Sequence, residues 1–202
     1  MSIPKLIDVN PFEPIIIKAH YDGFDWSKLE SICKKLIKDS NITTDMENEH
    51  GMSSVTNKIQ PHTMKEFADF YKWLQPIASY IVTKEWDFFY KDVSILNSWV
   101  NVHYTGGITR EHHHASTPIV AATYLNMPEN GGFIEYKDPS EHFKGFFDRN
   151  ESDELAPWKQ VPVVSGDIVL FPGWVRHRTQ ANKNLSESRW VLTTNIMTSI
   201  SK

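Results

Sequence analysis

Residues 166–177 read GDIVLFPGWVRH. Asp167 to Phe171 has the composition of a short strand. Pro172-Gly173 ends it, because proline has no N–H for a ladder and glycine accepts the tight turn. His177 follows directly. Working outward, the same texture recurs at Val93 to Tyr104, Ile119 to Leu125, Phe133 to Tyr136, Val161 to Val164 and Trp190 to Met197. Gly106-Gly107, Pro128, Gly131-Gly132 and Pro139 lie between these runs. Short β-branched and aromatic runs punctuated in this way predict an antiparallel sandwich or barrel.

The first half reads differently. Ser27-Lys28-Leu29-Glu30 has capping-box spacing, and Leu29, Ile32, Cys33, Leu36 and Ile37 form an apolar stripe, which predicts a helix from Ser27 to Asp39. A second helix is expected from Thr63, where Thr63-Met64-Lys65-Glu66 repeats the capping pattern. Phe67, Phe70, Leu74, Ile77 and Ile81 would share its buried face, and Pro76 would kink or divide it. Leu6 to Val9 and Ile15 to Ile17 suggest two short strands, and residues 40–61 read as a polar loop. Residues 140–158 look like an insertion over one end of the sandwich, where Lys144, Phe146, Phe147, Arg149 and Trp158 are candidate substrate contacts. The expectation is one domain, mainly β with N-terminal helices: a helical support region over 1–92 and a β core over 93–198.

Composition bounds the function classes. The 202 residues are 40% hydrophobic, 12% aromatic and 23% charged, an ordinary globular balance that excludes wholesale disorder. A net charge of −4 and a pI of about 6.1 give no basic surplus, so nucleic acid is not indicated as a partner. The single cysteine, Cys33, forms no internal disulfide. The opening MSIPKLIDVNPFEP lacks a signal-peptide pattern, and no apolar run is long enough for a membrane span. A soluble cytoplasmic protein is expected.

Three of the nine histidines are consecutive, in Glu111-His112-His113-His114. Strand alternation would put His112 and His114 on one side and Glu111 and His113 on the other. Two imidazoles on one face suit a shared ion such as iron, zinc, copper or nickel. His177, brought from a distant strand, is the candidate third ligand. A surface triplet of no function is the competing reading. His20, His50, His62 and His142 sit in polar surroundings and are expected to be exposed. Arg189 opens the last strand. It is either a solvated strand end or an inward cation, which would need a partner. No inward carboxylate is evident, but a bound dicarboxylate would pair it through a bidentate fork.

These residues resemble the Fe(II)- and 2-oxoglutarate-dependent oxygenases, and among them a small family found in bacteria and phages. The resemblance runs from Ser98 to Ile196. It is carried by Ser98-Trp99-Val100-Asn101, the His112–His114 triplet, Tyr124-Leu125, Asp138-Pro139, Gly166 to Trp174, His177 and Arg189-Trp190. It implies a double-stranded β-helix, or jelly roll, with iron on His112, His114 and His177. It also implies 2-oxoglutarate held at its far carboxylate by Arg189 and Tyr124, with Asn101 and His103 lining the same cup. The implied reaction uses O2 and oxidatively decarboxylates 2-oxoglutarate while a second, unidentified substrate is oxidised. No general base is required.

One departure stands out. Most of the superfamily carries Asp or Glu where this chain has His114, giving two histidines and a carboxylate. Three neutral ligands leave the ferrous centre one unit more positive. A shifted register, His113 with Ala115, would resemble iron halogenases. A cupin is a rival on the same architecture: Gly106 and His112-x-His114 fit the start of its first motif. Pro118 and Ile119 stand where its glutamate belongs, and Trp174 where a glycine is expected. A non-catalytic metal-binding module is the third reading.

Overall fold

The computed structural model describes residues 16–21, 23–38, 48–85, 92–139 and 158–199. The elements, in chain order, are β1 (Ile17–His20), α1 (Trp26–Lys38), β2 (Asn48–Ser53), two 3-10 turns (Pro61–Thr63 and Lys65–Phe67), α2 (Ala68–Tyr80) and a π-helical turn (Ile81–Glu85). After these come β3 (Asp92–Thr109), β4 (Ile119–Asn126), β5 (Ile134–Lys137), β6 (Trp158–Val161), β7 (Asp167–Pro172), β8 (His177–Thr179) and β9 (Arg189–Ser199). The strands form a large sheet in the order β1-β7-β4-β9-β3-β2 and a small one in the order β6-β5-β8. The pairings are antiparallel.

Both faces of the large sheet are covered, which explains why β4 reads as an almost unbroken apolar run, IVAATYLN. Val100, Val102, Ile119, Ala121, Ile168, Leu170 and Leu192 pack against Leu29, Cys33, Phe70 and Leu74 of the helices. The alternate residues Val120, Ala122, Tyr124, Val169, Phe171 and Val191 face Ile134, Val163 and Val175 on the side of the small sheet. Two antiparallel sheets facing one another, with helices on the back of the larger, make a double-stranded β-helix. No helix among the described residues is long and apolar enough to cross a membrane.

Several local expectations are corrected. Asp25, not Ser27, caps α1: its Oδ1 accepts from the Lys28 main-chain N–H (2.9 Å) and from the Ser27 hydroxyl (2.7 Å). These bonds, Ser27 first, hold the Asp25 carboxyl below the usual carboxylate range. Thr63 caps no α-helix, because 3-10 turns occupy 61–67 and α2 begins at Ala68. Pro76 does not divide α2. It sits on the exposed side, where water can meet the carbonyl that loses its N–H partner.

Within the expected loop 40–61 lies β2, an edge strand along β3 with a register shift between Glu49 and Gly51. An edge with solvent on one side tolerates the polar sequence NEHGMS. The strand expected at 161–164 falls at Trp158–Val161 instead. His62 is half-buried, with its Nδ1 3.0 Å from Ser98 Oγ. The expectations for residues 6–9, His142 and 140–157 lie outside the described residues.

Candidate metal centre

The crossing segment after β3 and the start of β8 are tied by the main chain. His112 N–H donates to His177 O (3.0 Å) and His177 N–H to His112 O (2.9 Å). This pair of bonds sets two imidazoles opposite each other with ring centroids 4.2 Å apart. The triplet does not form a regular strand; His112 makes a single bridge. His114 is brought in by the turn that precedes His177, its N–H donating to Gly173 O (2.9 Å). One ligating nitrogen from each of His112, His114 and His177 lies within 4.8 Å of the others. His113 and Ala115 are exposed and do not join them.

Each ring is oriented from behind. His112 Nδ1 lies 2.8 Å from Arg110 O, His177 Nδ1 2.9 Å from Val175 O, and His114 Nδ1 2.8 Å from Asn195 Oδ1. All three partners are oxygen acceptors, so the tautomer with N–H at Nδ1 satisfies every bond and leaves three Nε2 lone pairs for a metal. Trp99 stacks on His114 at 5.8 Å, and Phe171 meets His177 edge-on at 4.6 Å. Burial, aided by the neighbouring His112, pushes His114 down to about 4 and His177 well below the ordinary imidazole range. Both rings are therefore neutral at pH 7, the form a metal ligand requires. Glu111 turns to the opposite side, where Arg176 pairs with it and lowers its pKa.

The turn carrying His177 requires glycine at 173. A Cβ there would collide with the Thr117 carbonyl oxygen and sit 3.0 Å from that of His114. Gly173→Ala is expected to destabilise the fold by roughly 1–3 kcal/mol. Because the same backbone holds His114 and His177, it should also weaken metal binding. Urea denaturation and a metal titration on one preparation check both.

Inward of the histidines a small cavity of about 40 Å³ is lined by Asn101, His103, Tyr124, Thr179 and Thr193, among others. Asn101 Oδ1 is buried with no partner among the described residues. Burial raises the Tyr124 hydroxyl pKa, so it remains a proton donor. Burial lowers His103 well below the usual range, and its Nε2 lies 2.8 Å from Thr109 Oγ1.

Arg189 is fully buried behind this lining. Desolvation lowers its pKa to about 10, still high enough to keep it cationic. Among the described residues no carboxylate pairs it. Its Nη1 donates to the carbonyls of Gly131 (2.6 Å), Gly132 (2.8 Å) and Gln180 (2.9 Å), and its Nη2 to Thr179 Oγ1 (2.8 Å). The carbonyls thus engage the Nη1 prong, while Nε has no partner among the described residues.

Three neighbours of the site escaped the sequence reading: Asn195, Thr179 and Trp99. Strand parity held the signal. Arg189, Val191, Thr193 and Asn195 alternate along one face of β9, and Trp99 shares the face of Asn101 and His103 on β3.

Residues 97–195 match the family described as "Putative 2OG-Fe(II) oxygenase". No curated protein matches the sequence significantly. Among solved structures, the chain resembles a Pseudomonas putida prolyl-4-hydroxylase at 15% identity and a TM-score of 0.62, over 90% of this chain and 91% of that one. It also resembles HygX of Streptomyces hygroscopicus, solved with nickel and 2-oxoglutarate, at 14% identity and a TM-score of 0.59, over 91% and 82% of the two chains. A third is SnoK, an alpha-ketoglutarate-dependent carbocyclase of nogalamycin biosynthesis, at 15% identity and a TM-score of 0.63, over 92% and 80%. At these identities the likeness establishes the fold. With the family match across the strands that carry the histidine cluster, residues 97–195 belong to the Fe(II)- and 2-oxoglutarate-dependent oxygenases.

Proposed function

We propose that this chain is a 2-oxoglutarate-dependent dioxygenase whose ferrous ion is held by His112, His114 and His177. The observation that carries the reading is the convergence of three imidazoles, each with an oxygen acceptor behind its Nδ1. Among the described residues no fourth His, Cys, Asp or Glu joins the group, whereas structural zinc sites close with four protein ligands. Three protein donors leave positions for a chelating keto-acid and for O2. When bound, iron supplies the redox chemistry that couples decarboxylation of 2-oxoglutarate to succinate and CO2 with oxidation of a second substrate.

The residues present fit that cofactor pair. Neutral imidazoles leave the ion's full charge to be balanced by a dianionic keto-acid. The inner cavity offers the buried Asn101 amide and the protonated Tyr124 hydroxyl, with the cation of Arg189 behind them. That buried, carboxylate-free guanidinium favours the oxygenase over a cupin that does not use 2-oxoglutarate. We read the N-terminal helices as part of the same domain, since α1 and α2 share a core with the large sheet.

The test is succinate release after iron reconstitution under air, with slow uncoupled turnover expected before any substrate is known. Release that needs both Fe(II) and 2-oxoglutarate supports the reading. No release, with the metal fully retained, contradicts it.

A further inference from the structure

We propose that the trough over the outer face of the small sheet is a second ligand site, and that it takes a small carboxylic acid with an apolar body, held at Arg178. A cavity of about 940 Å³ opens there, far larger than the one inward of the histidines. That volume lies within the range of pockets that bury small molecules. The two cavities share only Thr109 and Thr179, and no histidine lines the outer one. The outer site therefore stands whether or not the metal centre takes a keto-acid.

Strand parity builds its polar floor. On β8 His177 and Thr179 face the inner cavity, so Arg178 between them faces out. Glu135 of β5 stands opposite Arg178 in the register and is buried beneath it. Its Oε2 accepts from Arg178 Nε (2.7 Å), and its Oε1 accepts from Gln180 Nε2 (3.0 Å). Trp158 of β6 lies against the guanidinium, with Cζ 4.0 Å from the ring centroid. A carboxylate on Nε and an indole on one face thus fix the group. Neither Nη of Arg178 has a hydrogen-bond partner among the described residues. A held guanidinium with its outer edge unused is a two-pronged donor, and a carboxylate matches it.

The walls and the charge balance narrow the ligand further. Met127, Phe133 and Val163 give the trough an apolar side, which favours a hydrocarbon body on the acid. The lining cations do not outnumber the carboxylates. Arg178 is offset by Glu135, and Arg110 pairs with Glu49. Glu111 pairs with Arg176, while Lys183 and Glu129 cancel. A doubly charged phosphate would meet no positive surplus here, whereas a single carboxylate gains the fork without needing one.

The probes are octanoate and octanamide, which share a chain and differ in the charged group. Calorimetry on the full chain, metal-free and then loaded with Mn(II), measures both. Octanoate should bind at one equivalent with the same affinity in the two states. Octanamide should bind roughly ten- to hundredfold more weakly, the loss of a charge-assisted pair. Arg178→Gln should bring octanoate down to the level of octanamide.

That change also removes a partner of buried Glu135, so a second variant guards against misfolding. Val164 is an exposed wall residue, and Val164→Glu sets a like charge beside the ligand. It should weaken octanoate by at least about tenfold. Octanoate that does not bind at millimolar concentration, or binds no better than octanamide, overturns the proposal. So does an affinity that requires Mn(II), which would place the acid at the histidines, or one that either folded variant leaves unchanged.

Discussion

His177→Ala is expected to abolish iron binding while leaving the fold standing. Losing an outer partner of a metal-bound histidine typically weakens a site about 10- to 100-fold. Deleting one of three donors should exceed that, so an affinity loss of more than about 100-fold is expected. The two bonds joining residues 112 and 177 are main-chain bonds, and truncating the imidazole leaves them in place. What disappears is the ring, its bond to Val175 O and its contact with Phe171. That change costs roughly 1–3 kcal/mol of stability. Metal content after reconstitution and a urea melt of the apoprotein measure the two effects separately. Full metal retention would show that His177 is not a ligand.

Arg189→Leu has the opposite signature. The variant should lose about 3–5 kcal/mol of apoprotein stability, the range for leaving buried partners of a charged group uncompensated. In a chain of this size that lowers Tm by roughly 6–20 °C. The guanidinium ties together the Gly131-Gly132 turn ahead of β5, the end of β8 at Thr179 and Gln180, and its own strand β9. Leucine leaves five oxygens facing an apolar side chain, the Thr179 hydroxyl and four carbonyls, that of Gly107 the most distant at 3.5 Å. His112 and His114 sit on other backbone, and His177 at the far end of β8 is held by its own main-chain bonds to His112, so the folded fraction should still bind metal but take up 2-oxoglutarate poorly. Unchanged stability would mean that the carbonyl cage contributes nothing to the fold.

The contrast between these residues shows where the sequence is legible. The strands β4 and β7 are readable because each is a bounded run of apolar and β-branched residues with glycine or proline beside it, and β9 because its own apolar and β-branched run is long. Parity predicted His112 and His114 on one side, and the structure sets them facing His177 with Glu111 turned away. The edge strand β2 was unreadable because its partner β3, not its own composition, makes it a strand. The three-residue β8 is too short to show a period.

The cage around Arg189 was invisible for a different reason. Its acceptors are main-chain carbonyls from turns distant in sequence, and a carbonyl leaves no mark on residue identity. The side chains alone, with no inward carboxylate evident among them, raise the expectation of a bound dicarboxylate on this cation. Asn195 was within reach, being six residues from Arg189 on the same strand face, but an amide partner for a histidine announces itself only once both strands are paired.

The most direct test of the three-histidine centre is anaerobic titration of the protein with Fe(II) and then with 2-oxoglutarate, followed in the visible spectrum. A metal-to-ligand charge-transfer band should appear only when both are present and saturate at one equivalent of iron, and His177→Ala should abolish it. A protein that binds iron tightly with no band on adding 2-oxoglutarate, or that keeps the band without His177, would contradict the account.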